Sequence, residues 1–108
     1  MSTRLQRTEM QIEGIKQALK KIDAMRPGSI TRQYRLPKEK KRPFYQISYT
    51  YRMQSRSEYV RPENLDALLK ETAAFKRFKT LVERWIALAL KASQLRVRQA
   101  TAQPRHRP

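Results

Sequence analysis

The chain has no cysteine, two glycines, one histidine and one tryptophan among its 108 residues. Without cysteine there is no disulfide framework, no thiolate ligand and no thiol nucleophile, a composition expected of a reducing, cytoplasmic compartment. Glycine occurs at positions 14 and 28 alone, too sparsely to build a Gly-rich phosphate loop. His106 sits in QPRHRP with no second imidazole or thiol to complete a metal site, so no metal and no cofactor is expected.

Long apolar runs are also missing. The longest, WIALAL at 85–90, falls far short of the about 20 residues that span a bilayer, and the opening MSTRLQRTEM lacks an apolar signal region. No membrane partner is expected. The nine acidic residues are scattered from Glu9 to Glu83 without a pair suited to acid–base or two-metal chemistry, so the chain is expected not to be an enzyme.

Positive charge is abundant. Lys and Arg number 25, giving a formal charge of +16, which attracts polyanions. Its distribution is uneven: residues 26–61 carry ten basic side chains against Glu39 and Glu58.

Hydrophobic spacing organises the chain. Leu5, Ile12 and Leu19, interleaved with Ile15 and Ile22, predict a helix over 4–25, capped by Ser2 or Thr3 and stopped by Pro27-Gly28. From Ser29 to Val60 the period changes to two, and three strands fit at 29–36, 44–52 and 56–60. A Pro-flanked basic loop, PKEKKRP, separates the first pair, and a tight connection around Met53, Gln54 and Ser55 separates the second. Pro62 opens a long helix to about residue 99, with a stripe of three seven-residue series: Leu68, Phe75, Val82, Ala89; Phe78, Trp85, Ala92; and Leu81, Leu88, Leu95.

The expected fold is α+β, in the order α-β-β-β-α, with a three-stranded antiparallel meander inserted between two long helices that pack as an antiparallel pair. Residues 1–100 are expected to form one domain and 101–108 a disordered basic tail. At about 55 Å the second helix would exceed a compact domain of this size. It is therefore expected to kink, to project, or to pair in coiled-coil fashion with a second copy or a larger protein partner.

The candidate site follows from the charge. Lys38, Lys40, Lys41 and Arg42 offer phosphate contacts from one loop. Arg32, Gln33, Arg35, Arg52, Gln54 and Arg56 are strand or turn residues able to meet base edges. Tyr34, Tyr49 or Tyr51 offer stacking on unpaired bases, while Phe44, Tyr45, Ile47 and Tyr49 are assigned mainly to packing.

The strings MRPGSITRQYR, RPFYQISYTYR and SEYVRPENLDALLKETAAFKRFKTLVERWIALAL resemble a family of short uncharacterised bacterial and archaeal proteins. The matching positions are Pro27, Gly28, Ser29, Pro43, Phe44, Tyr45, Tyr49, Tyr59, Val60, Pro62, Phe75, Arg77, Phe78 and Trp85. Many such relatives carry a cysteine cluster between the first two strands, where this chain has LPKEKKRP, so the zinc role implied there does not carry over. The resemblance implies association with mobile elements and no particular activity.

The function expected is nucleic-acid binding, DNA before RNA, by an accessory or architectural protein, nucleoid-associated if it binds DNA. The alternatives are an RNA-binding component of a ribonucleoprotein and a helical protein-interaction adaptor.

Overall fold

The computed structural model describes residues 3–102; Ser2, His106 and the rest of the basic tail beyond Ala102 lie outside the described residues. The elements are α1 (Arg4–Lys20), β1 (Ser29–Leu36), β2 (Lys41–Tyr51), β3 (Gln54–Val60), a 3-10 turn (Pro62–Asn64) and α2 (Leu65–Ala102). This is the α-β-β-β-α order expected of the sequence. The chain divides into two compact units, Met1–Lys21 with Lys79–Pro108, and Ile22–Phe78.

The first unit is a helical pair. Thr3 caps α1 with a reciprocal capping box: its hydroxyl accepts the Gln6 N–H at 3.1 Å, and Gln6 Oε1 accepts the Thr3 N–H at 2.9 Å. Ile12 and Ile15 of α1 and Leu81 and Ala92 of α2 are buried. Thr8 is buried beside them, its hydroxyl donating to the Arg4 carbonyl at 2.9 Å, so no polar group is left unpaired there. The Lys16 ammonium lies 5.4 Å from the centre of the Trp85 ring, whereas Arg4, Arg7, Thr8 and Gln11 line a groove with Lys91. Rising numbers on α1 meet falling numbers on α2, so the pair is antiparallel.

Helix α1 stops five residues before the expected boundary at 25. The Lys21 N–H closes on the Ala18 and Leu19 carbonyls, ending the helix in a tightened turn. Apolar spacing continues through Ile22, but the Arg26 N–H donates to the Glu71 carbonyl at 3.0 Å, which requires the chain to have left the helix already. At the other end, α2 begins only at Leu65, after the 3-10 turn that Pro62 opens, and it runs on through Thr101 and Ala102. Thr101 is held by a bond from its hydroxyl to the Val97 carbonyl at 2.9 Å.

The second unit is built on the sheet, antiparallel in the order β1-β2-β3. Ile30 pairs with Ile47, and Ile47 with Glu58; Arg32 pairs with Tyr45, and Tyr45 with Val60. Since side chains alternate along a strand, Ile30, Arg32, Tyr34, Tyr45, Ile47, Tyr49, Arg56, Glu58 and Val60 share one face. Ile47 and Val60 are buried there, at 1% and 3% exposure, so this is the inner face. Gly28 is needed beside it: its φ is +137°, and a Cβ would stand 2.9 Å from the Ser48 carbonyl oxygen and 3.1 Å from Ile47 Cγ1.

Strand β2 starts at Lys41, three residues earlier than expected, because only Pro37 to Lys40 form the turn and Lys41 already pairs with Leu36. Pro43 is compatible with a central strand because pairing with β3 reaches only as far as Tyr45. At Pro43 the strand has a neighbour on the β1 side alone, so its missing N–H breaks no ladder bond to β3. The β2–β3 turn is also displaced: Tyr51 pairs with Gln54, leaving Arg52 and Met53 as a two-residue loop, while Gln54 and Ser55 belong to β3.

Candidate nucleic-acid interface

The two faces of the sheet use their polar groups differently. On the inner face the Arg26 Nη2 donates to Glu58 Oε2 at 2.8 Å, and the guanidinium stacks 5.3 Å from the centre of the Tyr49 ring. Tyr49 Oη donates to the other oxygen of the same carboxylate at 2.9 Å. The hydrogen bond from Arg26, with that from Tyr49, holds the Glu58 carboxyl below the usual carboxylate range, and the same bond to Glu58 holds Arg26 above its own. One of the two acids in the basic segment is thus neutralised by a built contact. The other, Glu39, lies 3.9 Å from Lys41 Nζ as an exposed pair.

Arg32 is also engaged. Its Nε donates to Tyr34 Oη at 2.9 Å, its Nη2 donates to the same oxygen, and its guanidinium lies over the Tyr34 ring. The hydrogen bond to Tyr34, with help from Tyr45, raises its pKa from the ordinary value. On this face Arg56 Nη2 donates to Gln54 Oε1 at 3.2 Å.

The outer face is open and polar. Gln33 Nε2 donates to Gln46 Oε1 at 3.0 Å, Ser48 and Ser57 share a hydroxyl bond at 2.9 Å, and Thr50 and Ser55 another at 3.1 Å. These cross-strand pairs fix register. Phe44 belongs here rather than in the core, half-buried beneath Arg35, whose guanidinium stands 5.1 Å from the ring centre. This corrects its assignment to packing alongside Tyr45, Ile47 and Tyr49: in the strand Phe44 shares the parity of Gln46, Ser48 and Thr50 and so lies on the opposite face. Tyr59 shares the face and is 55% exposed.

The remaining candidates gather at the two ends of β2. Lys38 and Lys40 lie in the β1–β2 turn, with Lys41 and Arg42 opening β2, and all four are exposed. At the far end Arg52 stacks on Tyr51 at 5.2 Å, next to Met53. Strand β2 has 11 residues, so these ends stand about 33 Å apart. Three of the residues expected to read bases, Arg32, Gln33 and Arg56, spend donors on partners within the sheet, whereas Lys38, Lys40, Lys41 and Arg42 are exposed at the β1–β2 end.

Backbone strain marks the same places. Among the described residues, every non-glycine with positive φ is Lys40 (51°), Arg42 (56°), Arg52 (51°) or Met53 (65°). The Arg52-Met53 pair has the left-handed signature of a type I′ hairpin without the Asn-Gly that usually supplies it. For want of those usual residues the sequence places the tight connection around Met53, Gln54 and Ser55, one residue or two beyond its actual position.

No helix among the described residues is long and apolar enough to cross a membrane. Compared with known proteins, the chain matches no family model, no curated protein and no solved structure.

Proposed function

We propose that this chain binds nucleic acid, duplex DNA in the first instance, as an accessory or architectural protein. It holds phosphates through the exposed cations at the two ends of β2. The observation that carries the reading is the treatment of charge: Glu58 is tied to Arg26 and Tyr49, while Lys38 and Lys40 in the β1–β2 turn, Lys41 and Arg42 at the start of β2 and Arg52 in the β2–β3 turn are exposed. The separation of the two ends favours a duplex, because about 33 Å is close to one turn of B-DNA, about 34 Å.

Binding of this kind releases counterions, so affinity must fall steeply with salt. A titration of the protein against duplex DNA, single-stranded DNA and structured RNA at two salt concentrations tests it. Salt-sensitive preference for the duplex is expected; preference for structured RNA at equal salt would turn the reading to a ribonucleoprotein component, and weak, salt-insensitive binding to all three would end it.

A second reading, a protein-interaction adaptor, is favoured by the exposed Ile86, Leu90 and Val97 of α2. An adaptor keeps its partner when the β1–β2 turn is neutralised, and a nucleic-acid binder loses its own.

A further inference from the structure

The apex of the β2–β3 hairpin is an odd place for its residues. Met53 is 99% exposed, presenting a whole apolar side chain to water. It also holds a left-handed backbone, as does Arg52 before it, and each such residue costs about 1–2 kcal/mol relative to an ordinary conformation. Asn-Gly would form the same turn without that strain. Non-glycine residues kept in such conformations cluster at functional positions. Arg52 folds back over the Tyr51 ring at the stem, which leaves the methionine alone at the tip.

A two-residue turn is the narrowest edge a sheet can offer, suited to a minor groove about 6 Å wide. Proteins that bend DNA through that groove insert apolar side chains, methionine among them, between base steps, with cations beside the wedge. We propose that the β2–β3 turn is a DNA-bending wedge, in which Met53 enters between two base pairs of a duplex from the minor groove while Arg52 meets the flanking phosphates. This inference rests on the reading of the chain as a duplex binder, and adds the mode of engagement and the deformation that it produces.

The wedge requires an apolar side chain at 53, and the phosphate contacts do not. Met53→Gln keeps the length and backbone demand of the residue and removes its apolarity; Met53→Leu keeps the apolarity. The double variant Arg52→Asn, Met53→Gly relaxes the turn and removes the wedge. Each is tested on a duplex of about 25 base pairs with a central TA step, the kind most easily unstacked. The ends carry a donor and an acceptor dye, and 2-aminopurine sits beside the step.

The native chain and Met53→Leu are expected to raise energy transfer between the ends and to raise 2-aminopurine fluorescence several-fold. Met53→Gln is expected to bind with an unchanged salt slope, about two- to tenfold more weakly, and to leave both signals near those of the free duplex. The Asn-Gly variant should also leave the duplex straight, although its fold is firmer. Binding by the native chain without bending, or equal bending by Met53→Gln, overturns the wedge and leaves the duplex-binding reading intact. Absence of salt-dependent duplex binding overturns both.

Discussion

Neutralising the β1–β2 turn separates phosphate contact from incidental charge. Asparagine is the better neutral choice at two of the four positions, since Lys40 and Arg42 hold φ values of 51° and 56°, a conformation that its short polar side chain supports better than alanine's methyl does. The suitable variant is therefore Lys38→Gln, Lys40→Asn, Lys41→Gln, Arg42→Asn. All four side chains are exposed, and the one ion pair among them, Lys41 with Glu39, is a 3.9 Å surface contact. Such a pair is worth about 0–1 kcal/mol, so the fold should keep nearly all its stability.

Binding should not. Each phosphate neutralised contributes about 0.9 to the slope of log K against log salt, so losing four contacts flattens that slope by about 3.6. If native and variant chains share an affinity extrapolated to 1 M salt, the same figure is a loss of about 3.6 decades at 0.1 M. Fluorescence anisotropy with a duplex of about 20 base pairs, between about 50 and 200 mM salt, reads both quantities. A variant that stays folded yet keeps its slope within about one unit of the native value would refute the placement of phosphates at this turn.

The Asn-Gly replacement of Arg52 and Met53 should raise stability by about 1–3 kcal/mol in urea unfolding, since each position sheds about 1–2 kcal/mol of strain and glycine gives back up to about 1 kcal/mol as unfolded-chain entropy; an unchanged midpoint would show that the turn is unstrained. Gly28→Ala should destabilise by more than about 1 kcal/mol, because φ is +137° and the new Cβ meets the Ser48 carbonyl oxygen at 2.9 Å; thermal unfolding checks it, and a neutral result would contradict the close approach. Glu58 titrates below an ordinary carboxyl, so its bonds to Arg26 and Tyr49 stabilise the fold above the ordinary carboxylate range, and that contribution is lost as pH falls through the lowered folded value. Carboxyl NMR shifts should show Arg26→Gln moving the Glu58 midpoint upward, and an unmoved midpoint would assign the shift to another cause.

The strong periodicities were legible. The heptad positions on α2 are all at least half-buried, from Leu68 through Leu95, and period two correctly divided Tyr45, Ile47 and Tyr49 from Gln46, Ser48 and Thr50. Boundaries failed where a distant partner decided them. The early end of α1 accompanies a bond from Arg26 to Glu71, 45 positions away, which no local signal announces. PKEKKRP looked like loop because proline flanks it, yet its last three residues are strand, permitted by the missing β3 neighbour at Pro43. The charge of the site was legible because exposed Lys and Arg act over distance. Which guanidinium is occupied by a tyrosine was not, because Arg32 and Tyr34 meet only once the strand brings positions two apart onto one face.

The location of strain joins these threads. A chain selected for stability alone would place Gly or Asn wherever the backbone turns left-handed, as this one does at Gly28, where packing against Ser48 and Ile47 leaves no alternative. At the two ends of β2 it does otherwise, seating Lys40, Arg42, Arg52 and Met53 at φ values of 51–65°, the left-handed helical region that side chains enter at a cost, rather than at the +137° of Gly28. None of the four is buried, so no core packing compensates. Three carry positive charge and the fourth is the most exposed large apolar side chain described. On the reading proposed above, local stability is given up at both ends for what those side chains meet outside the sheet, which makes the ends of β2, rather than its broad outer face, the surface to test first.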